Sequence, residues 1–403
     1  MLDYYSTWPF FVEIGLILAL ASTPLFRAAD APPIPEGRRI QSLDGLRGFL
    51  ALLVFYHHIA VYHQYLQTHR WDNPQGRFYL LAGSVGVSLF FMITGTLFYS
   101  QVLQAKGRLN WKKLYVGRVF RILPLYWFAV AWVLIMVGMR TGWHRHVSYR
   151  NLALQLFQWS AGGLLGEHWV NGYSDISRIT LFVTWTLQYE WIFYLSLPLL
   201  AILVRSRRIG LLLPPFFLLG ALCFLWIFVP SNRVWICVAL FLVGMSTAAL
   251  KSARPQLRLQ SIWASLTVIA LLTLTFVLCP NVYMPLSAVL LGGAFVLINS
   301  GANLFGLLAS APAKRLGNIS YGIYLLQGPL LTVFVSFKWI RALDFASPLG
   351  HAGASLIEAC ALVGLATIAH RWIERPGIDF GRRLLSKRGV SPIPVSSAEH
   401  CNP

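Results

Sequence analysis

Residues 42–60 read SLDGLRGFLALLVFYHHIA, with Asp44 and Arg47 at one end, His57 and His58 near the other, and mostly apolar residues between. A histidine takes or gives a proton near neutral pH, and an arginine fork binds phosphate or carboxylate. Together they would suit acid–base chemistry beside an anion site. On a helix, eleven steps of 100° return Arg47 and His58 to one face, roughly 20° apart around the axis and about 16 Å apart along it. His57 falls about 80° off that face. Asp44 lies three residues before Arg47, within pairing reach. The blander reading makes Arg47 a headgroup anchor and His58 a packing residue. Their shared stripe favours a common site.

Three further stretches carry charge inside apolar sequence. In GRVFRILPLYW, residues 117–127, Arg118 and Arg121 are three apart and share a helix face, a fork suited to phosphate or to lipid headgroups. In TWTLQYEWIFY, residues 184–194, Glu190 sits well inside an apolar run and needs a cation, a histidine or a proton. It could orient a histidine, hold an acceptor sugar, or form a structural pair. In HRWIERPG, residues 370–377, Glu374-Arg375-Pro376 reads most simply as a helix stop with a local ion pair.

These residues need elements to hold them, and composition says which. Of 403 residues, 57% are hydrophobic and 12% charged, with mean hydropathy +0.61. Soluble domains carry about 25% charge, so the solvent implied is lipid. Apolar stretches of spanning length fall at 9–26, 43–62, 83–100, 120–138, 182–203, 210–229, 233–250, 261–279, 283–300, 319–337 and 352–370. The first is weakest, because Glu13 interrupts it and Pro24 ends it. Net charge is +19, from 33 basic and 14 acidic residues. Threaded through those spans, 24 Lys/Arg fall on the side of loop 101–119 and nine on the other. That asymmetry makes loop 101–119 and the C-terminus cytoplasmic and the N-terminus external. It also excludes a nucleic-acid reading, because no basic stripe lies on a soluble fold. Segment 139–181 is external, and its Trp143, His144, His146, Trp159, His168, Trp169, Tyr173 and Asp175 could form an ordered cover or a plain connector. Cys223, Cys237, Cys279, Cys360 and Cys401 lack metal-ligand spacing, and no metal is expected. No basic leader precedes the first apolar run, so it is not a signal peptide. The tail 386–403 is polar and expected to be disordered.

In order along the chain, these stretches resemble the acyltransferase 3 family of integral membrane O-acyltransferases. SLDGLRGFLALLVFYHH is similar to the family's first-helix motif, an Arg followed after ten residues by a His; Arg47 to His58 has that spacing and His57 does not. GVSLFFMITGTLF (86–98), RVFRILPLYW, WTLQYEWIFYLSLPLL, LGNISYGIYLLQGPLL (316–331) and WIERP (372–376) are similar to five further family motifs. The sequence departs from the pattern at Ser88, where an Asp is common, and at Gln327, where a His is frequent. Gln327 is therefore given no catalytic role. An appended esterase-like domain, which some relatives carry, is not expected here.

The resemblance implies an all-α polytopic transmembrane bundle of about ten core spans over residues 40–385, preceded by an extra hydrophobic segment and linker, 1–39. It implies a donor, acyl-CoA and most often acetyl-CoA, and an acceptor hydroxyl on a sugar, surface polysaccharide or glycolipid, in the plasma (inner) membrane. The catalytic expectation falls on His58, with Glu190 and Asp44. Donor binding falls on Arg47, Arg118 and Arg121, and substrate binding on Tyr126, Trp185 and Tyr324. His58 could act as a base or carry the acyl group itself. The competing class is a transporter or lipid-linked glycan flippase with no acyl chemistry, although no inverted repeat or interrupted helix pair is evident.

Overall fold

Lipid offers a backbone no hydrogen-bond partner but itself, so long apolar stretches must coil. The computed structural model describes residues 3–30, 40–228 and 232–386, so the expected tail and most of the expected linker lie outside the described residues. Among the described residues every regular element is helical, apart from one isolated bridge between Val170 and Tyr173. In chain order the helices are α1 (Trp8–Ser22), α2 (Gln41–Thr68), α3 (Arg77–Gln104), α4 (Trp111–Arg140), α5 (Tyr149–Ser160), α6 (Ile176–Thr180), α7 (Trp185–Leu203) and α8 (Arg207–Ile227). There follow α9 (Arg233–Ala253), α10 (Ile262–Leu278), α11 (Pro285–Asn299), α12 (Ala311–Asn318), α13 (Ser320–Phe334), α14 (Lys338–Ala346), α15 (Pro348–Ala369) and α16 (Arg375–Ser386).

Among the described residues, seven units are long and apolar enough to cross a membrane: α2, α3, α4, α7, α8, α9 and the continuous run from α15 through α16. The pair α13–α14 makes an eighth, bent by 95°. The remaining three apolar stretches give the shorter helices α1, α10 and α11, of 15, 17 and 15 residues. At 1.5 Å per residue these reach about 23–26 Å, less than the ~30 Å of a bilayer core. The first stretch is shorter than its apolar run because Pro24 starts a 3-10 turn, Pro24–Ala29, in place of further α-helix. The chain is thus a polytopic membrane bundle whose eleven apolar stretches are all helical.

Helix α2 runs through the middle, packed on α3, α11, α12, α13 and α15. Gly48 lets α12 approach α2 closely, and Gly45 admits the 3-10 turn Leu307–Ala309: a Cβ on Gly48 would meet Leu316 and the Gly317 backbone, one on Gly45 the Leu308 carbonyl, and one on Gly317 would overlap the Asp44 carbonyl. Small residues at such crossings are how membrane helices gain contact. Arg47 projects roughly opposite this glycine side, which leaves it free to face a site.

Arginines close the helix ends. Arg315 grips Asp30 with two donors, at 2.6 and 3.1 Å, and donates to the Ala21 and Ser22 carbonyls at the end of α1. That guanidinium holds the Asp30 carboxyl below the usual carboxylate range. At the other end of the bundle Arg77 donates to the carbonyls of Phe276, Val277 and Cys279, where α10 runs out of partners. The N-terminal segment is docked by Ser355 of α15, which lies 3.0 and 2.9 Å from the two carboxylate oxygens of buried Glu13.

Candidate active site

Five helices supply one cavity near the basic end of the bundle. It holds about 120 Å³ and is lined by Arg47 of α2, Arg118 and Arg121 of α4, Glu190 and Tyr194 of α7, and Ser320, Tyr321 and Tyr324 of α13, with the apolar face of α3 as its fifth wall. Local sequence explains the placements. Arg118 and Arg121, one turn apart, point the same way, and Pro124 follows without breaking α4. The Tyr321 hydroxyl donates to the Ile122 carbonyl at 3.0 Å, which ties α13 to α4 beside the fork. Tyr194 stands one turn after Glu190 and donates to its Oε2 at 2.8 Å.

The three guanidiniums are held differently. Arg121 pairs with Glu374 at 3.3 Å, and the second oxygen of Glu374 meets Nδ1 of His370 at 3.0 Å. Glu374 reaches Arg121 because residues His370–Glu374 form a π-helical turn, which inserts an extra residue per turn and re-aims the side chain. Arg118 lies over the Phe98 ring at 5.0 Å. Among the described residues, neither Arg47 nor Arg118 has a carboxylate within ion-pairing distance, 4.0 Å. Two half-buried cations are therefore left facing the cavity, an arrangement that favours an anion.

The cavity brings together Arg47, Arg118, Arg121, Glu190 and Tyr324, and leaves four of the expected site residues outside its lining. His58 lies further along α2, and its Nδ1 is 3.0 Å from Oε1 of Gln327. Gln327 donates its own amide N–H to the Tyr324 carbonyl at 2.7 Å, so its oxygen is the atom turned toward His58. An acceptor opposite Nδ1 fixes the proton there and leaves Nε2 as the basic nitrogen. Tyr324 thus links cavity and histidine: its ring lines the cavity and its carbonyl orients Gln327. The cavity does not extend to His58: Phe90 and Tyr324 are in its lining and His58 is not. His57 faces α3 instead, with Nδ1 on the Tyr79 carbonyl at 2.7 Å and its ring against Gly83. The two histidines thus lie on different faces of α2, as their offset of about 100° requires.

Asp44 lies one turn before Arg47 at the α12 crossing and does not line the cavity. Tyr126 is buried and lines a separate small void with Trp159, Thr180 and Thr184. Trp185 lies under Arg233, at 5.4 Å, and edge-on to Tyr189, at 5.5 Å. Sequence reasoning missed Tyr194, Tyr321 and Gln327 as site residues, and it read Glu374 as a helix stop. For Tyr194 a signal existed, the i,i+4 spacing from Glu190. For Gln327 the signal was its motif position, where a His is frequent in the family, but its contact with His58 comes from 269 positions away.

A second cluster gathers at the far end of α2, where Nδ1 of His63 and of His351 lie 2.7 and 2.5 Å from the two oxygens of Asp344. These are hydrogen-bond separations, whereas two ligands on one tetrahedral zinc stand roughly 3.3 Å apart. The cluster clasps α14 to α2 and α15.

Segment 141–184 is an ordered element, not a loose connector. Trp127 of α4 and Trp191 of α7 donate their indole N–H groups to the carbonyls of Ser160 and Gly162, at 3.0 and 2.9 Å. The chain after α5 therefore dips between α4 and α7.

Comparison with known proteins follows the same outline. The profile of the acyltransferase 3 family, described as an acyltransferase domain, matches residues 40–369. A protein of Bacillus subtilis (strain 168), YrhL, provisionally named a peptidoglycan O-acetyltransferase, is 24% identical over 384 residues, which cover 87% of this chain and 57% of that one. Nodulation protein 10 of Rhizobium leguminosarum bv. viciae is 24% identical over 372 residues, 86% of this chain and 95% of its own. The chain thus spans little more than half the length of the first of these relatives. No solved structure matches.

Proposed function

The chain belongs to the acyltransferase 3 family, and on that premise we propose that it moves an acyl group, most simply acetyl, from acyl-CoA to a hydroxyl of a sugar, polysaccharide or glycolipid at the membrane. The observation that carries this reading is the cavity into which Arg47 and Arg118 face with no carboxylate of the described residues within 4.0 Å, and with Arg121 beside them. A donor rich in phosphate fits that charge. The family and the O-acetyltransferase name of one relative support the reaction class. The basic end would face the cytoplasm, where acyl-CoA is made.

In this scheme the donor's phosphates lie against the arginines, and its pantetheine arm runs along the Tyr324 wall. The arm spans the roughly 16 Å between the levels of Arg47 and His58 once Phe90 and Tyr324 part. Nε2 of His58 takes the proton of the acceptor hydroxyl as its oxygen attacks the thioester carbonyl. The C–O bond forms, the C–S bond breaks, and the thiolate leaves and is protonated from the imidazolium. Glu190, held by Tyr194, balances the arginine cluster when the donor has left.

The test uses cells lacking the gene and complemented with variants. His58→Ala should abolish alkali-labile acetate on the cell-envelope glycan, a loss of at least about a hundredfold for a removed base. His57→Gln, which keeps a polar side chain facing α3, should retain most of it. Normal acetylation with His58→Ala would falsify the assignment.

A further inference from the structure

Glu167 lies in the segment between α5 and α6. Its two carboxylate oxygens accept hydrogen bonds from Thr180 at 2.8 Å and Thr184 at 2.6 Å. Those threonines bracket Leu181 and Phe182, both in left-handed backbone at φ 57° and 56°. Consecutive left-handed residues that are not glycine are strained and persist only where the surroundings hold them.

This turn lies deep in the bundle. The chain leading to it dips to the level of Trp127, about 24 Å along α4 from its start. Irregular backbone at such depth is tolerated only against protein or a wet cavity. The segment closes over His58 from several sides. Tyr62, one turn beyond His58 on α2, donates to the Arg178 carbonyl at 3.0 Å. Tyr324 donates to the Val183 carbonyl at 3.0 Å. Gly328, next to the glutamine that orients His58, sits so close to the Ile179 carbonyl and Thr180 that a Cβ would not fit.

We propose that Glu167 is a positioning residue for acyl transfer: by fastening both ends of the Thr180–Thr184 turn it sets the roof above His58 and so the approach of the acceptor hydroxyl to Nε2. The proposal rests on the acyl-transfer reading above. Glu167 touches neither donor nor acceptor in this scheme, and it acts through Thr180 and Thr184. None of residues 180–184 lines the arginine cavity, so loosening the turn should lower turnover more than donor binding.

The experiment measures acetyl-CoA-dependent thiol release in isolated membranes, alkali-labile acetate in cells, and thermal stabilisation of the detergent-solubilised full chain by acetyl-CoA. Glu167→Ala should lower the maximal rate about tenfold or more, with the half-saturating acetyl-CoA concentration and the acetyl-CoA stabilisation unchanged. Glu167→Gln keeps one acceptor oxygen and should recover part of the rate. Thr180→Val with Thr184→Val, leaving Glu167 in place, should reproduce the loss. Wild-type rates in Glu167→Gln and in the threonine double variant overturn the proposal. So does a rate loss in either that is matched by lost acetyl-CoA stabilisation, since that is general unfolding. If the wild-type chain neither releases thiol nor is stabilised by acetyl-CoA, it is the acyl-transfer reading that fails, and the positioning role falls with it.

Discussion

Gln327 uses both polar atoms of its side chain, one on the Tyr324 carbonyl at 2.7 Å and one on Nδ1 of His58 at 3.0 Å. It is fully buried, so neither atom has water as an alternative partner. The amide oxygen decides which imidazole nitrogen carries the proton, and a base with its proton on the wrong nitrogen cannot accept one from the acceptor. Gln327→Leu preserves volume and removes that choice. Transfer should fall by about tenfold or more, while His58 remains present and the arginine cavity intact. Ester-linked acetate per unit of membrane-inserted protein measures it; an unchanged value would mean that another group orients His58. At this scale the sequence was legible wherever partners share a helix. Arg47 and His58 could be aligned by counting residues, and so could the Arg118–Arg121 fork. Gln327 and Glu167 could not, because their partners come from other helices and a turn.

The elements were the most legible level, since lipid forces each long apolar run to coil and the run's length is written in its composition. What the runs do not carry is how the helices bend, end and cross. The 95° break between α13 and α14, the π turn before α16 and the dipping chain after α5 each depend on tertiary partners. The α2–α12 crossing shows the same dependence: Gly317 is unremarkable in sequence, yet its hydrogen stands against the Asp44 carbonyl. A methyl there must push α12 from α2, or both from α13. Gly317→Ala should therefore destabilise by about 1–3 kcal/mol, the usual cost of overpacking. Gly15→Ala, a helical glycine with open space around it, should be neutral or stabilising by up to about 1 kcal/mol. Thermal melts in detergent compare the two, and equal melting points would show that the crossing yields without cost.

Over the whole molecule, helix order and loop charge combine into one vector. Successive spans bring the N-terminal ends of α2, α4 and α13 and the C-terminal ends of α3, α7 and α15 to the end where the basic loops gather, and the arginine cavity opens near that same end. Lys/Arg loops are retained on the cytoplasmic side during insertion, so the donor assignment and the topology stand or fall together. In a background with the five cysteines replaced by serine, Lys112→Cys and Arg150→Cys place single thiols at exposed positions at the starts of α4 and α5, on opposite ends of the bundle. In intact cells a membrane-impermeant maleimide should label the thiol at 150 and spare the one at 112, and permeabilisation should make both reactive. The reverse pattern would turn the arginines away from the cytoplasm. A cavity facing outward could not meet acyl-CoA, and the three guanidiniums would then have to be matched to an external anion instead.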